Sequence, residues 1–328
     1  MNETPSKIQN PKSKIIKTEN LTKRYNGLTA LDDLNLSVEE GAVVGFIGPN
    51  GAGKTTTMRI LTTLLKPTSG RAWVAGYSVT AEPRQVRRVI GYMPDTFGVY
   101  DDMKVWEYLD FFAACYDIPP AVRAHLVDDL LALVDLSHKR EEFVENLSRG
   151  MKQRLCLART LAHDPQVLIL DEPASGLDPR ARIEMRELLR ELKNMGKTIF
   201  FSSHILSEVA DVCTSLAILE AGRLVAFGDV ATMRQQIRPH RVIHTRTLGD
   251  VNVLLERLAA VPEVAEVATG PEMNLPPGAV RFTFRGDEAA LGRTLAGLVS
   301  AGVPIVSFSE ESGNLEDVFI QMTKGVVS

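Results

Sequence analysis

Gly48-Pro49-Asn50-Gly51-Ala52-Gly53-Lys54-Thr55 follows the apolar run Val43-Val44-Gly45-Phe46-Ile47 and opens a helical pattern that continues to Leu65. Strand, glycine-rich turn and helix in that order are the context that the spacing G-x-x-x-x-G-K-[ST] requires of a phosphate-binding loop. The glycines let backbone N–H groups turn inward around phosphate oxygens, and the helix start adds positive potential there. Lys54 is then expected to reach β and γ phosphates, and the Thr55 hydroxyl to ligate Mg²⁺. Gly48 to Thr55, with Thr56 beside them, form the candidate phosphate site.

A second stretch carries the matching chemistry. Val167-Leu168-Ile169-Leu170 is apolar enough for a buried strand and ends abruptly in Asp171-Glu172. Buried carboxylates without a partner are expensive, so acids at the end of a core strand ask for a cation. Beside a phosphate loop that cation is Mg²⁺ held by Asp171, which leaves Glu172 to accept a proton from the attacking water or to orient it.

Outward from these two stretches, short β-type runs alternate with helical stretches from Ile15 to about Val230, the pattern of an α/β domain with a largely parallel sheet. Strands are expected at Ala42–Gly48, Val89–Met93, Val167–Leu170, Thr198–Ser202 and Ser215–Leu219. Helices are expected at Lys54–Leu65, Val105–Tyr116, Ala121–Val134, Met151–Leu161 and Ala181–Lys193. The strand-poor stretch from Asp95 to about Gly150 reads as a helical subdomain. A helical pattern ends at Gln235-Gln236-Ile237-Arg238-Pro239, which puts a domain boundary after Arg238. Beyond it the order is strand (Arg241–Arg246), helix (Val251–Leu258), strand (Glu263–Ala268), strand (Val280–Arg285), helix (Glu288–Val299), strand (Pro304–Ser309) and a closing helix from Leu315. That βαββαβ order describes a small ferredoxin-like α+β domain over 239–328. Residues 1–14 read as a flexible tail ahead of an ATPase-type domain over 15–238.

Composition narrows the class. With 328 residues, 45% hydrophobic and 24% charged, the chain has the make-up of a globular protein rather than a disordered or collagen-like one. Lys plus Arg at 37 against Asp plus Glu at 41 give a formal charge of −4, which offers no general attraction to nucleic acid. No apolar run approaches the roughly 18 to 20 residues of a membrane span, and the first residues lack a signal-peptide segment. Cys115, Cys156 and Cys213 lie far apart without metal-ligand spacing and read as reduced core residues.

Together the two motifs resemble the ATP-binding cassette (ABC) family, an α/β phosphate-loop NTPase fold with a helical subdomain. Leu147-Ser148-Arg149-Gly150-Met151 resembles the family signature loop, usually LSGGQ; Ser148 and Gly150 correspond, whereas Arg149 and Met151 depart. The resemblance implies that Ser148 and Gly150 contact the γ-phosphate of ATP held by a second copy in a head-to-tail dimer. It implies that Ser175-Gly176-Leu177-Asp178 is the loop coupling the two sites, that His204 contacts the γ-phosphate, and that Tyr25 stacks on adenine. Where the family normally has a glutamine near Mg²⁺, this chain has Pro94-Asp95, and Asp95 is the candidate substitute, shorter and negatively charged. Phe97, Val99, Tyr100, Trp106 and Tyr108 either form a groove for a membrane partner or, for Trp106 and Tyr108, belong to the subdomain core. Leu315-Glu316-Asp317-Val318-Phe319 looks like the ending of cassette subunits of exporters whose membrane part is a separate chain.

The implied function is an ATP-hydrolysing subunit, cytoplasmic and peripheral on the inner face of the membrane, that drives a separate transmembrane permease for export. Its expected ligands are ATP and Mg²⁺, with Lys54, Glu172 and His204 as catalytic residues. Two other readings remain at this point: a soluble cassette ATPase acting on DNA or ribosomes, and a regulator that binds ATP without turnover.

Overall fold

In chain order the first part of the molecule runs β1 (Lys14–Tyr25), β2 (Leu28–Glu39), β3 (Val43–Ile47), α1 (Lys54–Leu61), β4 (Ser69–Val74), β5 (Tyr77–Ser78), α2 (Pro83–Val89) and β6 (Ile90–Met93). Helices α3 (Val105–Cys115) and α4 (Pro120–Leu133), two short 3-10 turns and α5 (Arg149–Leu161) follow. Then come β7 (Val167–Leu170), α6 (Pro179–Asn194), β8 (Thr198–Ser203), β9 (Ser215–Glu220), β10 (Arg223–Asp229) and α7 (Val230–Ile237). The computed structural model describes residues 14–96, 98, 100, 102–204, 211–237, 241–270 and 275–310. Phe97, Val99, most of the expected tail and the expected closing helix from Leu315 lie outside the described residues.

The central sheet has the order β10-β9-β3-β8-β7-β6, parallel from β9 to β6 with β10 antiparallel at one edge. Every residue of β3, β7 and β8 is buried, as strands of a parallel sheet covered on both faces must be, and this explains their unbroken apolar runs. Because β3, β7 and β8 are parallel neighbours, the loops that leave their C-terminal ends emerge along one edge of the sheet, where open α/β sheets place ligands.

A second, antiparallel sheet, β2-β1-β4-β5, was not placed from the sequence. Its inward residues Ile16, Leu21, Leu34 and Val74 share one core with Met58 and Ile60 of α1 and Phe46 of β3. The β1–β2 register is broken by bulges, so period-two alternation is interrupted.

Several expected ends move for local reasons. Helix α1 stops at Leu61, not Leu65, because Thr63 turns left-handed (φ 64°) and the Thr62 hydroxyl donates back to the Met58 carbonyl. Val89 closes α2, so β6 starts one residue later than expected. Helices α5 and α6 start earlier than expected, at Arg149 and Pro179, because Ser148 and Asp178 cap them. Cys115 is exposed on the last turn of α3, which corrects the expectation of three core cysteines; Cys156 and Cys213 are buried. Tyr108 is fully buried and accepts a hydrogen bond from Arg159 at 2.9 Å, so it belongs to the core of this helical region rather than to a groove.

The chain divides into two units between Val230 and Ala231, ahead of the boundary expected after Arg238. The second unit contains β11 (Arg241–Thr247), α8 (Val251–Ala259), β12 (Val264–Thr269), β13 (Ala279–Phe284), α9 (Glu288–Ser300) and β14 (Ile305–Glu310). Its antiparallel sheet has the order β12-β13-β11-β14, the ferredoxin-like arrangement, around its own core of Ile243, Leu254, Leu258, Val280, Phe282 and Phe284.

Two glycines test this packing. A Cβ at Gly91 of β6 would lie 2.5 Å from the Thr160 carbonyl oxygen and 2.9 Å from Leu168, whereas one at Gly292 of α9 meets open space. In denaturant unfolding, Gly91→Ala is expected to cost about 1–3 kcal/mol through overpacking, and Gly292→Ala to add about 0.5–1 kcal/mol of helix propensity. A neutral Gly91→Ala would contradict the close approach of β6 to α5.

Candidate functional site

The loop after β3 is shaped by close contacts as much as by its own conformation. A Cβ at Gly48 would sit 2.3 Å from the Leu219 carbonyl oxygen, and one at Gly53 2.6 Å from the Ala30 carbonyl oxygen. Gly51 and Gly53 are also left-handed, at φ 82° and 106°. Gly53 caps α1 with no side chain, and the first turn of α1 carries no acidic residue, so its N-terminal positive potential is left for an anion. Gly48 and Ala52 sit beneath the loop. Pro49, Asn50, Gly51, Gly53, Lys54, Thr55 and Thr56 line a cavity of about 500 Å³.

Lys54 is buried and its ammonium donates to the Gly48 carbonyl at 2.6 Å and the Pro49 carbonyl at 3.2 Å, with Glu172 Oε1 3.5 Å away. Tyr25 is half-exposed at the far end of the same cavity beside Leu28 and Ala30, with the Lys23 ammonium 5.0 Å from its ring centroid. Asp95 also lines the cavity but is exposed, consistent with its position in the turn after β6.

Asp171 is the buried anchor of the acidic end. Its backbone N–H donates to the Met93 carbonyl at 2.8 Å, and its Oδ1 accepts from Ser202 Oγ at 2.7 Å and Thr55 Oγ1 at 3.3 Å. Its Oδ2 is buried with no partner among the described residues. Burial lifts the Asp171 carboxyl above the ordinary carboxylate range, the Ser202 and Thr55 hydroxyls oppose the rise, and the charges of Asp95 and Glu172 add to it. An unpaired carboxylate oxygen next to a threonine hydroxyl is a hard oxygen donor set that fits Mg²⁺. No group of three or more His, Cys, Asp or Glu among the described residues could hold a metal ion by itself.

Glu172 adopts φ 51°, rare for a residue with a side chain, and its N–H donates to Ser202 Oγ at 2.9 Å. Its Oε2 lies 2.8 Å from His204 Nδ1. The structure therefore brings Lys54, Glu172 and His204 into one contact chain across the ends of β3, β7 and β8. The direct Glu172–His204 link was not anticipated. Nor were two residues that hold the acidic end: Ser202, which joins both carboxylate residues, and buried Gln153 of α5, which donates to the Pro173 carbonyl at 2.5 Å. Ser202 leaves one trace in the sequence, a hydroxyl closing the apolar run Phe200-Phe201.

Ser148, Gly150 and Asp178 do not line this cavity. They line a second one of about 300 Å³ at the adjacent starts of α5 and α6. There Ser148 Oγ accepts from the Met151 N–H at 3.3 Å and Asp178 Oδ1 from the Ala181 N–H at 2.9 Å. The residues expected around one nucleotide thus fall into two separate places on one copy.

Asp171 gives a stability test. A carboxyl whose folded pKa is raised favours the fold below its unfolded value, near 3.8, and loses that contribution as pH rises through the folded value. Asp171→Asn removes the buried charge. Without nucleotide, its unfolding midpoint is expected to exceed that of the wild type at neutral pH, with the difference shrinking as pH falls toward 4. A lower midpoint at neutral pH would contradict the burial cost.

Known proteins resemble this chain in sequence and in fold. The ABC transporter family matches residues 31–175. Nod factor export ATP-binding protein I of Ralstonia nicotianae is 33% identical over 319 residues, 94% of this chain and 94% of that protein. Bacitracin transport ATP-binding protein BcrA of Bacillus licheniformis is 34% identical over 315 residues, 95% of this chain and 98% of that protein. Among solved structures, an ATP-binding subunit of an ABC transporter is 32% identical with a TM-score of 0.61, over 68% of this chain and 92% of its own. A dimeric cassette bound to ADP and Pi is 25% identical with a TM-score of 0.60, over 66% of this chain and 98% of its own. A phosphate loop, a buried acidic strand end and this level of identity over nearly the whole length carry one conclusion: the chain belongs to the ATP-binding, ATP-hydrolysing subunits of ABC transporters.

Proposed function

We propose that two copies of this chain pair head to tail, enclose two Mg²⁺-ATP between the phosphate loop of one and the Ser148–Gly150 loop of the other, and drive a separate membrane permease in export. The observation that carries this reading is the division of nucleotide-type residues between two cavities. One holds the phosphate loop, Glu172 and His204; the other holds the two capped helix starts with Ser148 and Gly150. A helix start offers N–H groups to phosphate, so the second cavity is suited to nucleotide held by another copy.

The chemistry assigned to each residue follows from its contacts. Lys54 and the loop N–H groups hold the phosphates; Thr55 and Asp171 would hold Mg²⁺, which supplies charge neutralisation at the transferring phosphoryl group. Glu172, fixed between Lys54 and His204, takes the proton of the attacking water, and His204 orients that carboxylate and faces the γ-phosphate. Tyr25 offers a flat surface to adenine.

No helix among the described residues is long and apolar enough to cross a membrane, and the membrane-crossing part is assigned to a separate permease. The exposed rings of Tyr100 and Phe111, centroids 5.6 Å apart, form an apolar surface suited to that partner. The export direction rests on the name of the Ralstonia relative, a Nod factor export ATP-binding protein. Cargo selection then belongs to the permease.

Glu172→Gln tests the assignment. It is expected to lose turnover by orders of magnitude, keep wild-type ATP affinity by titration, and accumulate an ATP-dependent dimer in size-exclusion chromatography, because only the proton acceptor is removed. Wild-type hydrolysis by this variant would remove Glu172 from the chemistry and favour another base.

A further inference from the structure

We infer that Arg149 and Gln153 form a two-point clamp by which α5 sets the position of the Glu172–Ser175 loop; both are positioning residues, and the inference rests on the paired-copy reading above. The two side chains are four residues apart, one turn of α5, and therefore share a face. Gln153 is 3% exposed and donates to the Pro173 carbonyl. Arg149 donates from Nη2 to the Ser175 carbonyl at 3.2 Å. Just ahead of these two anchors is Glu172, whose left-handed backbone has to be held by its surroundings.

The guanidinium of Arg149 lies flat against Gly176. A Cβ built there would be 2.3 Å from Arg149 Cζ, and Gly176 itself is left-handed at φ 66°. Arg149 has no carboxylate within ion-pair distance among the described residues, so the Ser175 carbonyl is what fixes this cation. Arg149 is also where this sequence departs from the glycine of the usual signature loop, which makes the outer half of the clamp a property of this chain.

The clamp connects two places that need to communicate. Ser148 and Gly150, at the start of α5, line the cavity assigned to the partner's nucleotide, whereas Glu172 and Ser175 line the copy's own. Movement of α5 on closure around one nucleotide is therefore passed through Arg149 and Gln153 to the carboxylate that serves the other. This requires differential contact between open and closed states, and the exposed Arg149 bond is the part free to change.

The test compares full-length wild type, Arg149→Gly and Arg149→Lys, reading kcat, the ATP cooperativity of hydrolysis and ATP affinity. Arg149→Gly is expected to lower kcat about fivefold, one hydrogen bond's worth, and to flatten cooperativity while ATP affinity stays at the wild-type value. Arg149→Lys, which keeps a donor, should retain most of kcat. Wild-type kcat and cooperativity in Arg149→Gly, or a kcat loss matched by an equal loss of ATP affinity, would each overturn the clamp. A wild-type protein that never dimerises with ATP would overturn the underlying functional reading instead, a result read before any Arg149 variant is made.

Discussion

A carboxylate placed at the buried end of a parallel strand governs the rest of this site. Burying Asp171 without a full set of partners costs free energy, and the fold meets only part of its need, with two hydroxyls on Oδ1 and an orphaned Oδ2. The strand that delivers Asp171 has to be covered on both faces, which requires the parallel sheet and its flanking helices. Ser202, which holds Asp171, also takes the N–H of Glu172, so one hydroxyl from β8 fixes both acids. Those acids stand across from the phosphate loop because β8 lies between β3 and β7.

Under the proposed pairing of two copies, this arrangement divides the labour between them. One copy contributes a phosphate loop with an uncapped helix start and a carboxylate held by lysine and histidine. The starts of α5 and α6, capped by Ser148 and Asp178, lie in a different cavity and have no phosphate loop facing them there. In the proposed pairing, association through nucleotide would complete both sites at once, and ATP binding would be the source of the differential free energy that a permease can use.

Much of this was legible in the sequence because the deciding elements obey one-dimensional rules. Strands buried on both faces appear as continuous apolar runs, so β3, β7 and β8 were readable, and the two acids closing β7 stood out against theirs. The antiparallel sheet was not readable because bulges break the alternation of β1, and β10, at the edge of the central sheet, was missed because exposed and half-buried residues alternate along it without a strong apolar stripe. The starts of α5 and α6 were misplaced by two residues because Arg149 and Pro179 follow caps that apolar periodicity does not register. Side-chain links were the least accessible part of the site. Gln153 to Pro173, Arg149 to Ser175 and Ser202 to Asp171 join residues 20 to 31 positions apart whose approach depends on how helix and sheet pack.

The claim on which the account turns is that each nucleotide is shared between copies. It is tested most directly by mixing Asn50→Cys chains with Ser148→Cys chains, both carrying Glu172→Gln and Cys115→Ala, and treating them with a short thiol crosslinker. Cys156 stays inert because burial pushes its thiol up to about 11, and burial raises Cys213 as well. The account predicts a crosslink between the two kinds of chain when ATP is present and none when it is absent. No crosslink with ATP, or an equal yield without it, would contradict a nucleotide held between the phosphate loop of one copy and the Ser148 loop of the other.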